Sequence, residues 1–137
     1  MRKMMFKISK FAPAALLAAG LLTAGEAQAR GCDDANPLMM CPLAECIALQ
    51  NQVNLLCKTP APLACRNVSG CAARTAMRQR WVDCRDARVT INNTCWSGGD
   101  PGHIQAVTQA NISITKCDTE IAKPTTQGGC ADPCPKK

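Results

Sequence analysis

The amino-acid sequence predicts an all-α fold, a small disulfide-rich helical domain built on an antiparallel helical hairpin with one further helix before it. Three observations point there. Eleven of the 137 residues are cysteine. Apolar residues recur at three- and four-residue spacing in three segments, and no segment shows the alternation of a convincing strand. The loop between the last two segments is so short that their helices must turn back on each other.

The N-terminal end reads as an export leader. Arg2, Lys3, Lys7 and Lys10 stand without an acid among the first ten residues, and Phe11 to Thr23 is then almost purely apolar. That run falls short of the roughly 20 residues of a membrane span. It leads into Ala27-Gln28-Ala29, the small-x-small pattern cut by signal peptidase. The expected organisation is a signal peptide at 1–29, a disulfide-stapled helical domain at 30–122, and a polar linker with a cysteine-bearing tail at 123–137. This places the chain outside the cytoplasm of a bacterium, periplasmic or extracellular, with no integral membrane association once the leader is cut.

Cutting the leader changes both charge and core. The whole chain carries a formal +6. Residues 1–29 hold four of its 16 basic and one of its 10 acidic residues, which leaves about +3 behind. Bulk charge therefore does not demand a nucleic acid or a membrane surface. Both phenylalanines, Phe6 and Phe11, also lie in the leader, so Trp81 and Trp96 are the only aromatic residues of the domain. Aromatic rings normally supply much of a small core, and in exported domains disulfides take over part of that task. The candidates are Cys32, Cys41, Cys46, Cys57, Cys65, Cys71, Cys84, Cys95, Cys117, Cys130 and Cys134. Their odd number leaves one unpaired within the chain, and sequence does not dictate the connectivity. Positions equally far from a hairpin loop face each other, so a bridge between Cys84 and Cys117 is the expectation for the hairpin.

Pro42 suits a first helical position. Leu43, Cys46, Ile47, Gln50, Val53, Leu56 and Cys57 then form one stripe, giving a helix from Pro42 to about Cys57 that Thr59-Pro60-Ala61-Pro62 ends. After the turn-like Asn67-Val68-Ser69-Gly70, the stripe Ala73, Met77, Cys84, Ala87, Ile91 and Cys95 predicts a helix from about Gly70 to Trp96. Ser97-Gly98-Gly99 stops it with a glycine able to turn left-handed. Asp100-Pro101 restarts the chain as N-cap and first helical residue. Ile104, Val107, Ala110, Ile114, Cys117 and Ile121 carry a third helix over about Pro101 to Ala122.

Two features point to chemistry. His103, the only histidine, follows Asp100 at a helix start, where unpaired N–H groups and the helix dipole favour anions and a neutral imidazole. Asp100 and His103 are thus a candidate catalytic pair, with the imidazole as general base for attack at a phosphate or carbonyl; the plainer reading is a cap and a tight turn. With a 100-degree step from Arg74, Arg85 lies at about 20 degrees, Arg78 at about 40, Trp81 at about 340 and Arg88 at about 320. Arg74, Arg78, Trp81, Arg85 and Arg88 form a candidate anion-binding stripe able to hold phosphates beside an indole, or else a solvated helix face. The spacings Cys41-x4-Cys46, Cys65-x5-Cys71 and Cys130-x3-Cys134 lack the Cys-x2-Cys of zinc and thioredoxin-like centres. No metal site and no cofactor are expected. Asn-x-Ser/Thr triplets at Asn67, Asn92 and Asn111 read as chance matches.

Together, Trp81-x2-Cys84, Ala87-Arg88, Ile91-Asn92, Cys95-Trp96, Gly98-Gly99-Asp100-x-Gly102-His103, Ala106 and Cys117 resemble a small cysteine-bearing helical module found at the C-terminal ends of bacterial polymorphic toxins, including Rhs-type and type VI-secreted proteins. The resemblance covers residues 71–117. It implies a toxin-type helical domain attacking nucleic acid hydrolytically, with a site on Asp100 and His103 and with Arg88 as the nearest anion holder. Two functional classes fit the residues: a module that hydrolyses or binds an anionic target such as nucleic acid, and a non-catalytic periplasmic scaffold holding a protein partner as an immunity-like or accessory factor.

Overall fold

The computed structural model describes residues 28–131. The charged and apolar parts of the expected leader, and Cys134 in the tail, lie outside the described residues. Three helices follow in order, α1 (Leu43–Cys57), α2 (Cys71–Trp96) and α3 (Pro101–Ile121), with short 3-10 turns at Cys65–Asn67 and Thr125–Gln127. The all-α, disulfide-rich expectation is met, and each helix begins and ends within a residue or two of its predicted bounds. Pro42 precedes α1 with φ −58° and ψ 146° instead of opening it.

α2 and α3 form the antiparallel hairpin, and α1 packs against α2. α2 turns Cys84, Ala87, Ile91 and Cys95 inward at helical spacing. The core joins Cys41, Cys46, Val53, Ala87, Ile91, Cys95 and Trp96. Two expected stripe positions face outward: Ile47 of α1 is 46% exposed and Ile104 of α3 is 48% exposed. On α3 the inward line starts one residue earlier, at His103, and continues through Ala110, Ile114 and Cys117. On α1 only Cys46 and Val53 are fully covered, with Leu49 and Leu56 packed beside them, because a single neighbouring helix covers a narrow strip.

Among the described residues five disulfides close the structure: Cys32–Cys46, Cys41–Cys95, Cys57–Cys84, Cys65–Cys117 and Cys71–Cys130. The hairpin is not bridged directly from Cys84 to Cys117. Cys84 turns to the end of α1, and Cys117 is taken by the 3-10 turn that crosses between α1 and α2. Cys84 and Cys117 differ by about four residues in distance from the loop, roughly 6 Å of helical rise. Cys84 finds its partner in the last residue of α1 and Cys117 in the segment connecting α1 to α2, at Cα separations of 5.0 and 5.1 Å, within the range a disulfide accepts.

The segment after α3, expected as a polar linker, folds back on the hairpin. Cys130 N–H donates to Ile121 O at 2.7 Å, Ala131 N–H to Lys123 O and Thr125 N–H to Ala131 O. Arg74 knits this end together. The residue is 7% exposed, and its guanidinium donates to the carbonyls of Val68 (3.0 Å), Glu120 (3.1 Å) and Gln127 (3.3 Å), with the Glu120 carboxylate 3.6 Å away.

Two stability predictions follow from this layout. Cys65–Cys117 and Cys71–Cys130 span 52 and 59 residues, so loop entropy ranks them alike at roughly 2–5 kcal/mol each. Cys65 and Cys117 are buried and Cys71 is exposed, so the double alanine variant at 65 and 117 loses more in urea denaturation than the one at 71 and 130, by the cost of a core void. Arg74→Met strips three carbonyls of their donor and costs about 1–3 kcal/mol or more, with Arg74→Lys between it and wild type because an ammonium lacks the planar fork.

Candidate functional site

The end of the hairpin is built by helix termination. Ser97 (φ 49°) and Gly98 (φ 74°) take left-handed backbone after Trp96, and Gly98 N–H returns to Asn92 O at 2.8 Å. Asn92 is buried, and its side-chain Oδ1 accepts from Asp100 N–H at 3.0 Å. Asp100 then caps α3, its Oδ2 accepting from His103 N–H at 2.9 Å. The N-cap expectation for Asp100-Pro101 is thereby met in detail. The role of Asn92 was hidden in a triplet read as a chance match, since only the turn brings residue 92 under residue 100.

Asp100 and His103 both have no solvent exposure. His103 Nε2 lies 4.0 Å from Asp100 Oδ2, an electrostatic distance without a hydrogen bond. Among the described residues neither imidazole nitrogen has a hydrogen-bond partner, and the Nε of Arg88 and Nε1 of Trp96 are likewise buried and unpartnered. Buried polar atoms are nearly always paired; four of the five unpartnered ones among the described residues gather at this end of the hairpin, the fifth being Arg80 Nε. Burial pushes the His103 imidazole below its usual value; Asp100 opposes this and the Arg88 charge adds to it. Burial likewise lowers Arg88, against the pull of Asp100.

A cleft of about 520 Å³ opens beside this pair, lined by Lys58, Trp81, Arg88, Gly102, Gln105 and Gln109, with the Cys57–Cys84 bridge among its walls and Gln28 and Ala29 at its edge. Two cations, two amides and an indole suit an anionic polymer with planar groups. Lys58, Gln105 and Gln109 carried no signal in the sequence, because the end of α1 and the first half of α3, more than forty residues apart, come to one wall only in the fold.

The structure divides the arginine stripe. Arg74 is the buried staple described above. Arg78 pairs with Asp118 of α3 and Arg85 with its neighbour Asp86. Trp81 donates its Nε1–H to Leu63 O at 3.0 Å and stands between this cleft and a second one beside Lys116 and Glu120. Only Arg88 and Trp81 of the five reach the cleft next to His103. The sulfurs of Cys41, Cys46 and Cys95 lie within 4.8 Å of one another. They belong to the stacked bridges Cys32–Cys46 and Cys41–Cys95 and carry no thiolate to offer an ion.

A depressed imidazole pKa has a definite sign in stability. Below pH 6.5, the ordinary value, the unfolded chain takes up a proton that the native chain refuses. Stability is therefore full above that pH and falls as pH drops towards the folded pKa, by at most about 1.4 kcal/mol per pH unit. Urea midpoints of the chain that keeps residues 28 and 29 should fall between pH 7 and 5, and His103→Gln should flatten that slope. An equal slope in both proteins counts against a buried neutral imidazole.

No curated protein and no solved structure was found to match the chain. Among the described residues no helix is long and apolar enough to cross a membrane. A family model, described as novel toxin 16, matches residues 39–120, a span that takes in all three helices, the hairpin loop and eight of the ten bridged cysteines. With a match of that extent over the elements that build the site, the chain belongs to the novel toxin 16 family.

Proposed function

We propose that this toxin-family module is exported and acts on nucleic acid, cleaving the phosphodiester backbone of RNA in the cleft at the loop end of the hairpin. The observation that carries the reading is the His103 imidazole, held neutral by burial beside Asp100, with both nitrogens unpartnered and a cleft bearing Arg88 and Lys58 next to it. RNA supplies its own nucleophile, so a single base and an anion holder are the groups the protein must provide. In this scheme His103 accepts the proton of a ribose 2′-hydroxyl, whose oxygen attacks phosphorus. The P–O5′ bond breaks, and the 5′-oxygen leaves with the electron pair and takes a proton back from the imidazolium. Arg88 and Lys58 offset charge on the phosphoryl oxygens, Asp100 orients and steadies the imidazolium, and Trp81 offers a face for a base. The family match and the five bridges are consistent with an exported toxin; Rhs-type or type VI delivery belongs to the same proposal and rests on the loop resemblance.

The second reading, a scaffold binding a protein partner, draws on Leu55 and Leu63, apolar side chains 64% and 55% exposed near the junction of α1 and α2. Oxidised protein beginning at Arg30, incubated with RNA at low salt, separates the two. His103→Ala should reduce cleavage by roughly 10²–10⁴-fold, the usual contribution of a general base, at unchanged helical circular dichroism. Absence of wild-type cleavage, with and without divalent metal, rejects the nuclease reading and leaves the scaffold.

A further inference from the structure

Residues 28–30 lie against the site in a way that neither the catalytic reading nor the leader reading uses. The backbone nitrogen of Arg30 stands 3.3 and 3.4 Å from the two oxygens of Asp100. The Arg30 side chain adds its Nε at 3.6 Å from Oδ1 and lays its guanidinium 5.9 Å from the Trp96 ring centroid. Asp100 is fully covered. One residue earlier, the backbone of Ala29 runs over Gly102 so closely that a Cβ there would overlap it. Gly102 is buried in the first turn of α3, next to His103, and lines the cleft together with Gln28 and Ala29.

We propose that Arg30 is a positioning residue whose α-amino group, freed by cutting the Ala29–Arg30 bond, becomes the counter-ion of buried Asp100, while the departure of residues 28 and 29 uncovers Gly102 and His103. The cut is a hydrolysis by a leader peptidase. Water adds across the peptide bond, the carboxylate leaves on Ala29, and the amine stays on Arg30 and is protonated at neutral pH. In the uncut chain the nitrogen is an amide that brings a single N–H and no charge to a carboxylate with no solvent. In the cut chain the same atom brings a full positive charge to both oxygens, so that donor as well as acceptor is ionised. The uncut chain keeps Gly102, next to His103, covered by the backbone of residues 28 and 29 and the cut chain removes that cover at the edge of the cleft, so activity would be tied to export.

The ionisable groups that face this nitrogen are few. They are Asp100 from the loop, His103 from α3, the Arg30 guanidinium itself and, at longer range through Asp100, Arg88 from α2. A free α-amine titrates near 8. Pairing raises its folded pKa, so the added stability is complete below about pH 8 and is lost as pH rises through the folded value.

This inference rests on the nuclease reading only for its activity arm. Three oxidised proteins are compared: the chain beginning at Arg30, the same chain with Gln28-Ala29 retained, and the Arg30 chain carrying Arg30→Ala, which keeps the amine and drops the guanidinium. The Arg30 chain and its Arg30→Ala variant should melt several degrees above the extended chain at pH 7, with the gap closing by pH 10. Asp100→Asn should abolish the gap in a protein still helical by circular dichroism. RNA cleavage by the Arg30 chain should exceed that of the extended chain at least tenfold. A melting gap without cleavage in any form upholds the ion pair and overturns the nuclease reading. Equal cleavage with no pH-dependent gap overturns the role of the amine and leaves the nuclease reading standing. A gap that survives at pH 10, or that vanishes in Arg30→Ala, also overturns the role of the amine.

Discussion

Everything placed at the loop end of the hairpin depends on two disulfides stacked at the last turn of α2. Cys41–Cys95 ties that turn to the segment entering α1, and Cys32–Cys46 ties the N-terminal strap, the irregular stretch of residues 30–41, to α1 alongside it. Cys46 and Cys95 have no solvent exposure, so they serve as core as well as crosslink. Together with Ile91, Val53 and Trp96 they supply the mass that larger rings provide in other small domains. With the end of α2 held, Asn92 can clasp Asp100 and Asp100 can cap α3. His103 is then committed to the interior.

That commitment gives the site its character. A histidine at the third position of a surface helix would titrate near its ordinary value and bond to water. Here the imidazole has no solvent exposure, with an acid at 4.0 Å and an arginine charge nearby. Burial lowers its affinity for a proton, while the unpaired nitrogens keep it able to accept one from a partner that enters. The cap residue and the candidate base are the same two side chains that a structural turn would need, so the distinction between turn and site lies in the unpaired polar atoms around them and not in the motif.

The arginines show how one helix face serves separate ends. Arg74 closes the far end of the hairpin by holding three carbonyls, Arg78 crosses to Asp118 on α3, and Arg85 stays with its neighbour Asp86. Arg88 alone lies by the cleft with a buried, unpaired Nε. A stripe that looks uniform in projection is cut up by what packs above it. The 3-10 turn and the tail reach the start of α2, and the strap reaches its end.

Local chemistry determined much of this protein without the fold. Three- and four-residue periodicity marked the helices, proline and glycine their limits, and Asp100-Pro101 the restart, because caps and helical stripes depend on neighbours within a turn or two. The cysteine count likewise announced a stapled domain. Tertiary structure alone decided the rest. Cys84 took its partner from the end of α1 and Cys117 from the connection between α1 and α2, because pairing depends on where a segment crosses in space. His103 rather than Ile104 turned inward, because the capped first turn sets the rotation of α3. Lys58, Gln105 and Arg30 joined the site from three distant stretches of chain, which no spacing in a linear sequence encodes.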